Sequence, residues 1–248
     1  MRKPLLAFSL AGVALTGTTF AASGPPGLTI SLQPNVTGRP STLVIEADGQ
    51  PDQSDGRVPK SAVLSIQRGF RLDPRARSAR CTQQRAEQFN CPKASRIGGG
   101  EAVVTASGAI VPGGSQDFTA AIDLFLAPPE RPHDLAGVVV YVHEPTTGTR
   151  GTSTGRLVPR ANGPYGYELR FDDLGAGQSP PPGVTIKLKH LALKVGARRA
   201  VTRAGHRVVH NLITNPPRCN GTWHGHGTIT FTDGSTAEAG LSAPCRTG

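Results

Sequence analysis

Apolar and polar residues alternate in many short segments of this 248-residue chain. In residues 184–193, Val184, Ile186 and Leu188 alternate with polar neighbours, which places the two sets on opposite faces of a β-strand. Turns rich in Gly, Pro and Asp separate such segments. Similar alternation occurs in residues 28–32, 42–47, 62–67, 102–106, 118–126, 137–142 and 167–171. The pattern predicts an all-β fold, an antiparallel β-sandwich of the jelly-roll or immunoglobulin-like type.

One segment has helical character instead. Asp73 followed by Pro74 is a helix start signal, with Asp as N-cap and Pro at the first helical position. Residues 75–89 are rich in Ala, Arg, Gln and Glu, and Cys91-Pro92 ends the segment. We therefore expect one short helix, pinned by a disulfide between Cys81 and Cys91.

The chain contains four cysteines, Cys81, Cys91, Cys219 and Cys245. An even count in an exported chain indicates two disulfides, and the sequence alone permits three pairings. Pairing of neighbours, 81 with 91 and 219 with 245, is the most economical. Zinc binding is the alternative, but the chain has no C-x-x-C pair.

The C-terminal region predicts a β-hairpin. Asp233-Gly234 separates the alternating segments 223–232 and 235–243, and a two-residue turn would place Thr232 opposite Ser235. On this hairpin Trp223, the only tryptophan, shares the inner face with Ile229 and Phe231.

The N-terminus has the pattern of a secretory signal peptide over residues 1–23: Arg2 and Lys3, an apolar run over residues 5–15, then small residues. Cleavage is expected after Ala21 or Ser23. No later apolar run is long enough to span a membrane, so we expect a protein that is secreted or in the cell envelope. We expect one domain over residues 24–248. The alternative is two β domains, 24–112 and 116–248, with 112–115 as their linker.

Removal of Arg2 and Lys3 leaves a net charge of +8. A basic exported protein tends to adhere to anionic cell-wall polymers or acidic glycans, although the charge can also serve solubility alone. The chain has no nucleic-acid-binding motif.

Several sequence blocks resemble a family of secreted, β-rich, uncharacterised proteins of high-GC Gram-positive (actinobacterial-type) bacteria. The N-terminal block is Gly69-Phe70-x-Leu72-Asp73-Pro74, Cys81 and Cys91-Pro92-x-Ala94-Ser95-x-Ile97-Gly98-x-Gly100. The C-terminal block is Cys219-x-Gly221-x-Trp223, Phe231-Thr232-Asp233-Gly234-Ser235 and Cys245. The resemblance implies export and disulfides, and it assigns no catalytic residues.

Two glycine motifs invite comparison with known sites. Residues 151–155 match G-x-S-x-G, but a nucleophile elbow needs a helix after it, and the residues that follow are strand-like. We therefore interpret 151–155 as a flexible turn. Residues 98–100 are three glycines without a P-loop lysine, which we interpret as a turn into the next strand.

His224 and His226 are the candidate metal ligands. Residues two apart on a strand share a face, so the two imidazoles could bind Zn²⁺ or Cu²⁺, with His206 or His210 as a third ligand. The alternative is an ordinary solvated strand face without a cofactor.

Acidic residues could serve glycoside hydrolysis, which needs two carboxylates on either side of one bond. Asp172 and Asp173 are adjacent, and Asp123, Glu144 or Glu168 could be the partner. Nothing in the sequence selects one of these three carboxylates as the partner. The sequence therefore favours a non-catalytic extracellular or envelope protein that binds anionic polymers. A polysaccharide hydrolase or lyase and a metal-binding protein are the alternatives.

Overall fold

The computed structural model describes residues 28–48, 59–174 and 183–248. The predicted signal peptide lies outside these residues. Within them the chain forms fifteen strands and one α-helix. The elements are β1 (Leu28–Gln33), β2 (Thr42–Asp48), β3 (Pro59–Gln67), β4 (Arg71–Leu72), α1 (Gln83–Glu87), β5 (Arg96–Gly108), β6 (Ser115–Ala127), β7 (Ala136–Glu144), β8 (Thr149–Pro159), β9 (Tyr165–Phe171), β10 (Val184–Val195), β11 (Arg198–Arg203), β12 (His206–Asn211), β13 (Ile213–Thr214), β14 (Thr222–Phe231) and β15 (Thr236–Pro244).

Eleven of these strands form one main sheet in the order β1-β2-β10-β5-β6-β7-β8-β9-β3-β14-β15. Every hydrogen-bonded pair in it is antiparallel. The first and last strands of this order, β1 and β15, lie close together, so the sheet is nearly closed and barrel-like. The predicted all-β antiparallel fold is confirmed, while the jelly-roll or immunoglobulin-like sandwich stays a prediction.

The odd strand number determines how the sheet can close. In an antiparallel sheet of eleven strands the two end strands run in the same direction, so β1 and β15 can meet only in parallel. One parallel bridge, between Val36 and Arg246, joins the segments that follow these strands. Among the described residues β1 and β15 themselves are not hydrogen-bonded neighbours. We call this boundary the β1–β15 seam.

Two further features stabilise the region beside the Val36–Arg246 bridge. The buried Asn215 donates to the carbonyl oxygens of Pro34 (2.9 Å) and Val36 (2.8 Å) and accepts a hydrogen bond from Ser41 Oγ. The Cys219–Cys245 disulfide joins the chain before β14 to the end of β15. One end of the seam is therefore held by backbone hydrogen bonds between residues 35–37 and Arg246, beside this disulfide and the Asn215 hydrogen bonds.

The apolar faces of the main sheet point inward. Val184 is buried and packs with Leu188, whereas Lys189 lies outside and pairs with Asp117. The predicted alternation in β10 thus holds as far as Leu188, where a bulge shifts the register. Gly98 and Gly100 lie inside β5 and not in the turn that we predicted. A Cβ atom at Gly98 or Gly100 would come within 2.2 Å or 1.8 Å of a β10 carbonyl oxygen.

The predicted helix over residues 75–89 is wrong in extent. Asp73 caps a 3-10 turn, Pro74–Ala76, and the chain then runs without helix to Thr82, which caps α1. The reason is tertiary, because Cys81 is buried and its backbone N–H donates to the carbonyl of Leu126 in β6. A residue whose N–H is bonded to a strand cannot continue a helix.

The predicted disulfides, Cys81–Cys91 and Cys219–Cys245, are confirmed, with Cα separations of 5.0 Å and 5.9 Å. The first brackets α1, and its buried half packs on Phe125 and Val139 at the outer face of β6 and β7. The disulfide-pinned helix is therefore present.

The C-terminal hairpin differs from the prediction by one residue of register. Phe231 pairs with Ser235, since the Phe231 N–H donates to the Ser235 carbonyl. The loop therefore has three residues, and Gly234 adopts a φ of 83° at its end. A three-residue hairpin loop favours glycine at that left-handed position. The shift brings the Cys245 N–H to the carbonyl of Gly221, beside Cys219.

Residues 112–115 join β5 to its hydrogen-bonded neighbour β6 through a 3-10 turn at Pro112–Gly114. The main sheet contains strands from before and after this turn. No helix among the described residues has the length and hydrophobicity needed to cross a lipid bilayer.

Candidate functional site

The two candidate metal ligands lie on the outer face of β14, opposite the buried Trp223, Ile229 and Phe231. They have separate neighbours. His224 Nε2 lies 3.2 Å from Thr222 Oγ1, and His226 Nε2 lies 3.6 Å from a carboxylate oxygen of Glu238. His226 also stacks on the Tyr165 ring at a centroid distance of 6.5 Å.

The candidate third ligands belong to another element. His206 and His210 lie on β12, and His210 Nδ1 shares a 2.7 Å hydrogen bond with Asp73. Across the described ranges, no group of three or more His, Cys, Asp or Glu side chains is arranged to hold a metal ion. Metal binding by His224 and His226 stays a prediction.

Glu144, one candidate catalytic carboxylate, is completely buried and fastens the turn between β7 and β8. It accepts hydrogen bonds from the Thr146 N–H (2.7 Å), the Thr147 N–H (2.6 Å) and the Thr147 hydroxyl (2.5 Å). Burial by itself would raise the pKa of this carboxyl, but the hydrogen bonds outweigh it and hold the pKa below its ordinary value. Glu144 therefore serves the turn as a hydrogen-bond acceptor.

Three other candidate carboxylates form ion pairs with arginines. Asp172 accepts a 2.6 Å hydrogen bond from the buried Arg156, which also lies 3.3 Å from Asp134. Glu168 is buried between Arg160 and Arg170, and Asp123 pairs with Arg96. Asp173 is exposed beside Asp172. Asp123, Asp172 and Glu168 are thus each engaged in an ion pair with arginine.

The G-x-S-x-G segment is not a turn. Residues 151–155 lie in the middle of β8 and pair with β7. At Gly155 the absence of a side chain lets a neighbouring residue approach closely. A Cβ atom at Gly155 would lie 2.7 Å from the ring of Phe171. A continuous strand offers no nucleophile elbow.

Strands β11 and β12 form a hairpin outside the main sheet, which we call the basic hairpin. It carries Arg198, Arg199, Arg203 and Arg207 and no acidic residue. All four arginines are exposed, as is Val208 at 37%. The hairpin thus presents four guanidinium groups to solvent.

The base of the basic hairpin packs on the Pro74–Ala76 turn, where more arginines gather. Arg80 donates only to backbone carbonyls, those of Pro74, Arg77 and Ala79. Burial lowers the pKa of Arg80, and the charge of Arg199 lowers it further. Burial and then the charge of Arg96 lower the pKa of Arg77 in the same way. These four, Arg77, Arg80, Arg96 and Arg199, are the arginine cluster.

Several positive charges lie close together at this end of the molecule, although the Asp73 carboxylate also acts on Arg80 and Asp123 pairs with Arg96. Within the described part of the chain, Arg77, Arg80 and Arg199 have no carboxylate within ion-pair distance. The buried Nε of Arg77 also has no hydrogen-bond partner there. An anion placed among these guanidinium groups would relieve their mutual repulsion, and guanidinium binds carboxylate, sulfate or phosphate with paired hydrogen bonds.

Sequence reasoning left the basic hairpin unassigned, although two signals were present. Ala204-Gly205 lies between two short segments, 198–203 and 206–211, each with valine among polar residues, and a glycine between such segments is a turn signal. From Leu174 to Thr232 the chain carries eight basic residues and no acidic one. The contribution of Arg77, Arg80 and Arg96 could not be found this way, because the fold brings them to the hairpin from more than 100 positions away.

A concave region lies on the outer face of β2, β10 and β5, apart from the basic hairpin. This outer groove encloses about 460 Å³ and is lined by Glu46, Glu101, Arg96 and Lys194, with Ala192 between the two glutamates. Strand spacing puts the two glutamate Cα atoms about 10 Å apart. Both glutamates are exposed to water.

Comparison with protein-family models, with curated proteins and with solved structures found no match for the chain.

Proposed function

We propose that this is an exported, non-catalytic protein of the cell envelope or extracellular space that binds an anionic polymer. The observation that supports it most is the basic hairpin, with four exposed arginines and no acidic residue. The arginine cluster at its base extends the same positive surface. A repeating polyanion, such as an acidic glycan or a cell-wall polymer, can contact several of these groups at once.

Export is proposed on two grounds. The N-terminal sequence has the pattern of a signal peptide, and all four cysteines are paired, which is typical of an oxidising compartment. Secretion of the full chain fused to a reporter, compared with a chain lacking residues 1–23, tests this part.

The binding test compares two variants that each lose two positive charges. Arg203→Ser/Arg207→Ser removes two charges from the basic hairpin. The control, Lys60→Ser/Lys187→Ser, removes two charges near the amino-terminal ends of β3 and β10. Binding to heparin and to polygalacturonate, measured by calorimetry at several salt concentrations, is the readout. At about 1 kcal/mol per exposed charged contact, the hairpin variant should bind about 10- to 30-fold more weakly.

The control variant should bind like the wild type apart from a small change in long-range attraction that salt screens. If both variants bound equally weakly, binding would depend only on the net charge of the protein, which would contradict a site on the hairpin. Absence of binding by the wild type to either polymer would contradict the proposal as a whole.

The outer groove carries the second candidate, a polysaccharide hydrolase or lyase. Two carboxylates on either side of a cleft are what glycoside hydrolysis requires, and Glu46 and Glu101 line the groove. Their exposure weighs against it, because a general acid needs a site that raises its pKa. Release of reducing sugar by the wild type that is lost in Glu46→Gln and Glu101→Gln would favour this candidate.

We also propose that the nearly closed sheet is flattened into two facing layers, as in a sandwich. Inward side chains of β1 and β2 and those of β3 and β14 line the same small cavity, which supports a short distance between these layers.

A further inference from the structure

An apolar cavity of about 100 Å³ lies inside the main sheet, behind the β1–β15 seam. Inward-facing residues of the strands on both sides of the seam form its wall, with Phe70 and Trp223 among them. Almost all of the surface of the cavity wall is formed by carbon atoms. The residues that matter below are Ile30, Leu43, Trp223, Leu241 and Ala243.

Small residues explain why the space is not filled. On β14 the inward position after Trp223 is Gly225, and its partner strand β15 places Ala243 beside Trp223. Protein interiors are normally packed as densely as organic crystals, and an empty cavity lowers stability. A persistent apolar cavity is thus a place where a ligand would gain contacts that the protein lacks.

The seam provides a way in. Elsewhere in the main sheet, entry between two strands would break a ladder of backbone hydrogen bonds. Within the described chain, β1 and β15 share no such ladder, and the hydrogen bonds that join their two segments lie beyond their carboxyl ends, around the Val36–Arg246 bridge. Parting these two strands ahead of that point would therefore break no ladder of backbone hydrogen bonds among the described residues.

We propose that this cavity binds the end of an unbranched alkyl chain that enters through the β1–β15 seam. A carbon wall excludes a polar ligand, because buried polar groups without partners are costly. The volume is below the roughly 150 Å³ of a cavity that accepts benzene, so it suits a slim chain and not a ring. Any polar head group of the ligand stays outside the seam.

The test uses the linear alcohols from 1-butanol to 1-octanol as probes, with the emission of Trp223 as the signal. Trp223 is the only tryptophan and lies in the cavity wall, so the signal is local. Each added methylene that is buried should tighten binding about fourfold until the cavity is full, after which affinity levels off. A bromine-substituted alcohol, 5-bromopentanol, should quench Trp223 at saturation.

Ala243→Leu fills the cavity and should weaken binding more than about tenfold. Ala237→Leu is the matched control, because Ala237 lies on the same inward face of β15 and is also 5% exposed, but is not part of the cavity wall. Should Ala243→Leu fail to fold, Leu241→Phe at the half-buried part of the wall replaces it. A signal without chain-length dependence, or equal binding in the cavity variant and the control, would overturn the proposal.

Discussion

Asp73 makes three kinds of contact through one carboxylate. It caps the Pro74–Ala76 turn by accepting from the Arg75 N–H (2.9 Å), pairs with the Arg75 guanidinium, and holds His210 of the basic hairpin. Burial alone would raise its pKa, but the hydrogen bonds from Arg75 and His210 outweigh this and lower it to about 2. A single side chain therefore fixes the hairpin to the body of the protein.

The Asp73→Asn substitution tests this role through pH. Because the pKa in the folded protein is below the ordinary 3.8, the charged form stabilises the fold above about pH 4, and this contribution is lost as pH falls towards 2. We expect Asp73→Asn to lower the free energy of unfolding by about 1–2 kcal/mol at pH 7 and by less at pH 2. Urea unfolding at both pH values measures it.

Asp123→Asn is the control, because the Asp123–Arg96 pair is exposed on both sides and should contribute less than about 0.5 kcal/mol. A loss at Asp73 that is the same at both pH values would show that charge is not the cause.

The two outward histidines allow a second prediction at this scale. A pair of ligands without a third should bind Zn²⁺ weakly, since stable sites need three or four. Calorimetric titration of the wild type and of His224→Ala/His226→Ala measures it. Equal heats in the two proteins would show that these histidines bind no metal.

At the scale of the elements, the turn of the basic hairpin contains a non-glycine residue in a strained conformation. Its two-residue loop is Ala204-Gly205, with φ angles of 46° and 79°. This is the left-handed conformation that matches the twist of a hairpin, and it costs an ordinary L-residue about 1 kcal/mol. Gly205 adopts it freely, whereas Ala204 does not.

Ala204→Asn should therefore stabilise the basic hairpin by about 0.5–1 kcal/mol, because Asn-Gly is the preferred pair for this turn. Hydrogen exchange of the β11 and β12 amides should slow, since these strands are attached to the molecule mainly through their base. Ala204→Val should have the opposite effect. Slower exchange in both variants would be inconsistent with strain at this turn.

At the scale of the whole molecule, the two disulfides perform different tasks. Cys81–Cys91 holds α1 against the outer face of β6 and β7, where the sheet is continuous. Cys219–Cys245 lies at the end of β15, beside the Val36–Arg246 bridge that fastens the seam. The loss of one or the other should therefore loosen different parts of the fold.

Replacing both cysteines of a pair by serine should lower stability by about 3 kcal/mol for Cys81–Cys91 and about 3.5 kcal/mol for Cys219–Cys245. Only the second change should speed hydrogen exchange of β1 and β15, because only that disulfide lies beside the Val36–Arg246 bridge at the end of the seam. Denaturant unfolding with exchange measurements separates the two. The same exchange pattern in both variants would contradict this assignment.

Local features of the fold followed from the sequence because they depend on side-chain direction and on short-range pairing. Period-two alternation reports which side chains share a face, so strands and the inward position of Trp223 could be predicted. Cysteines close in sequence pair most easily, and both disulfides agree with that expectation. The same reasoning could not place residues 98–100 and 151–155, because their glycines are required by the close approach of neighbouring strands.

Only the tertiary structure decided the strand order, the parallel seam and both candidate binding regions. These depend on contacts between distant residues, and alternation is the same whichever strand lies alongside. The arginine cluster forms because the 3-10 turn after Asp73 meets a hairpin more than 100 residues later. The cavity exists because Gly225 and Ala243 face the seam of an eleven-stranded sheet, a position that no local pattern encodes.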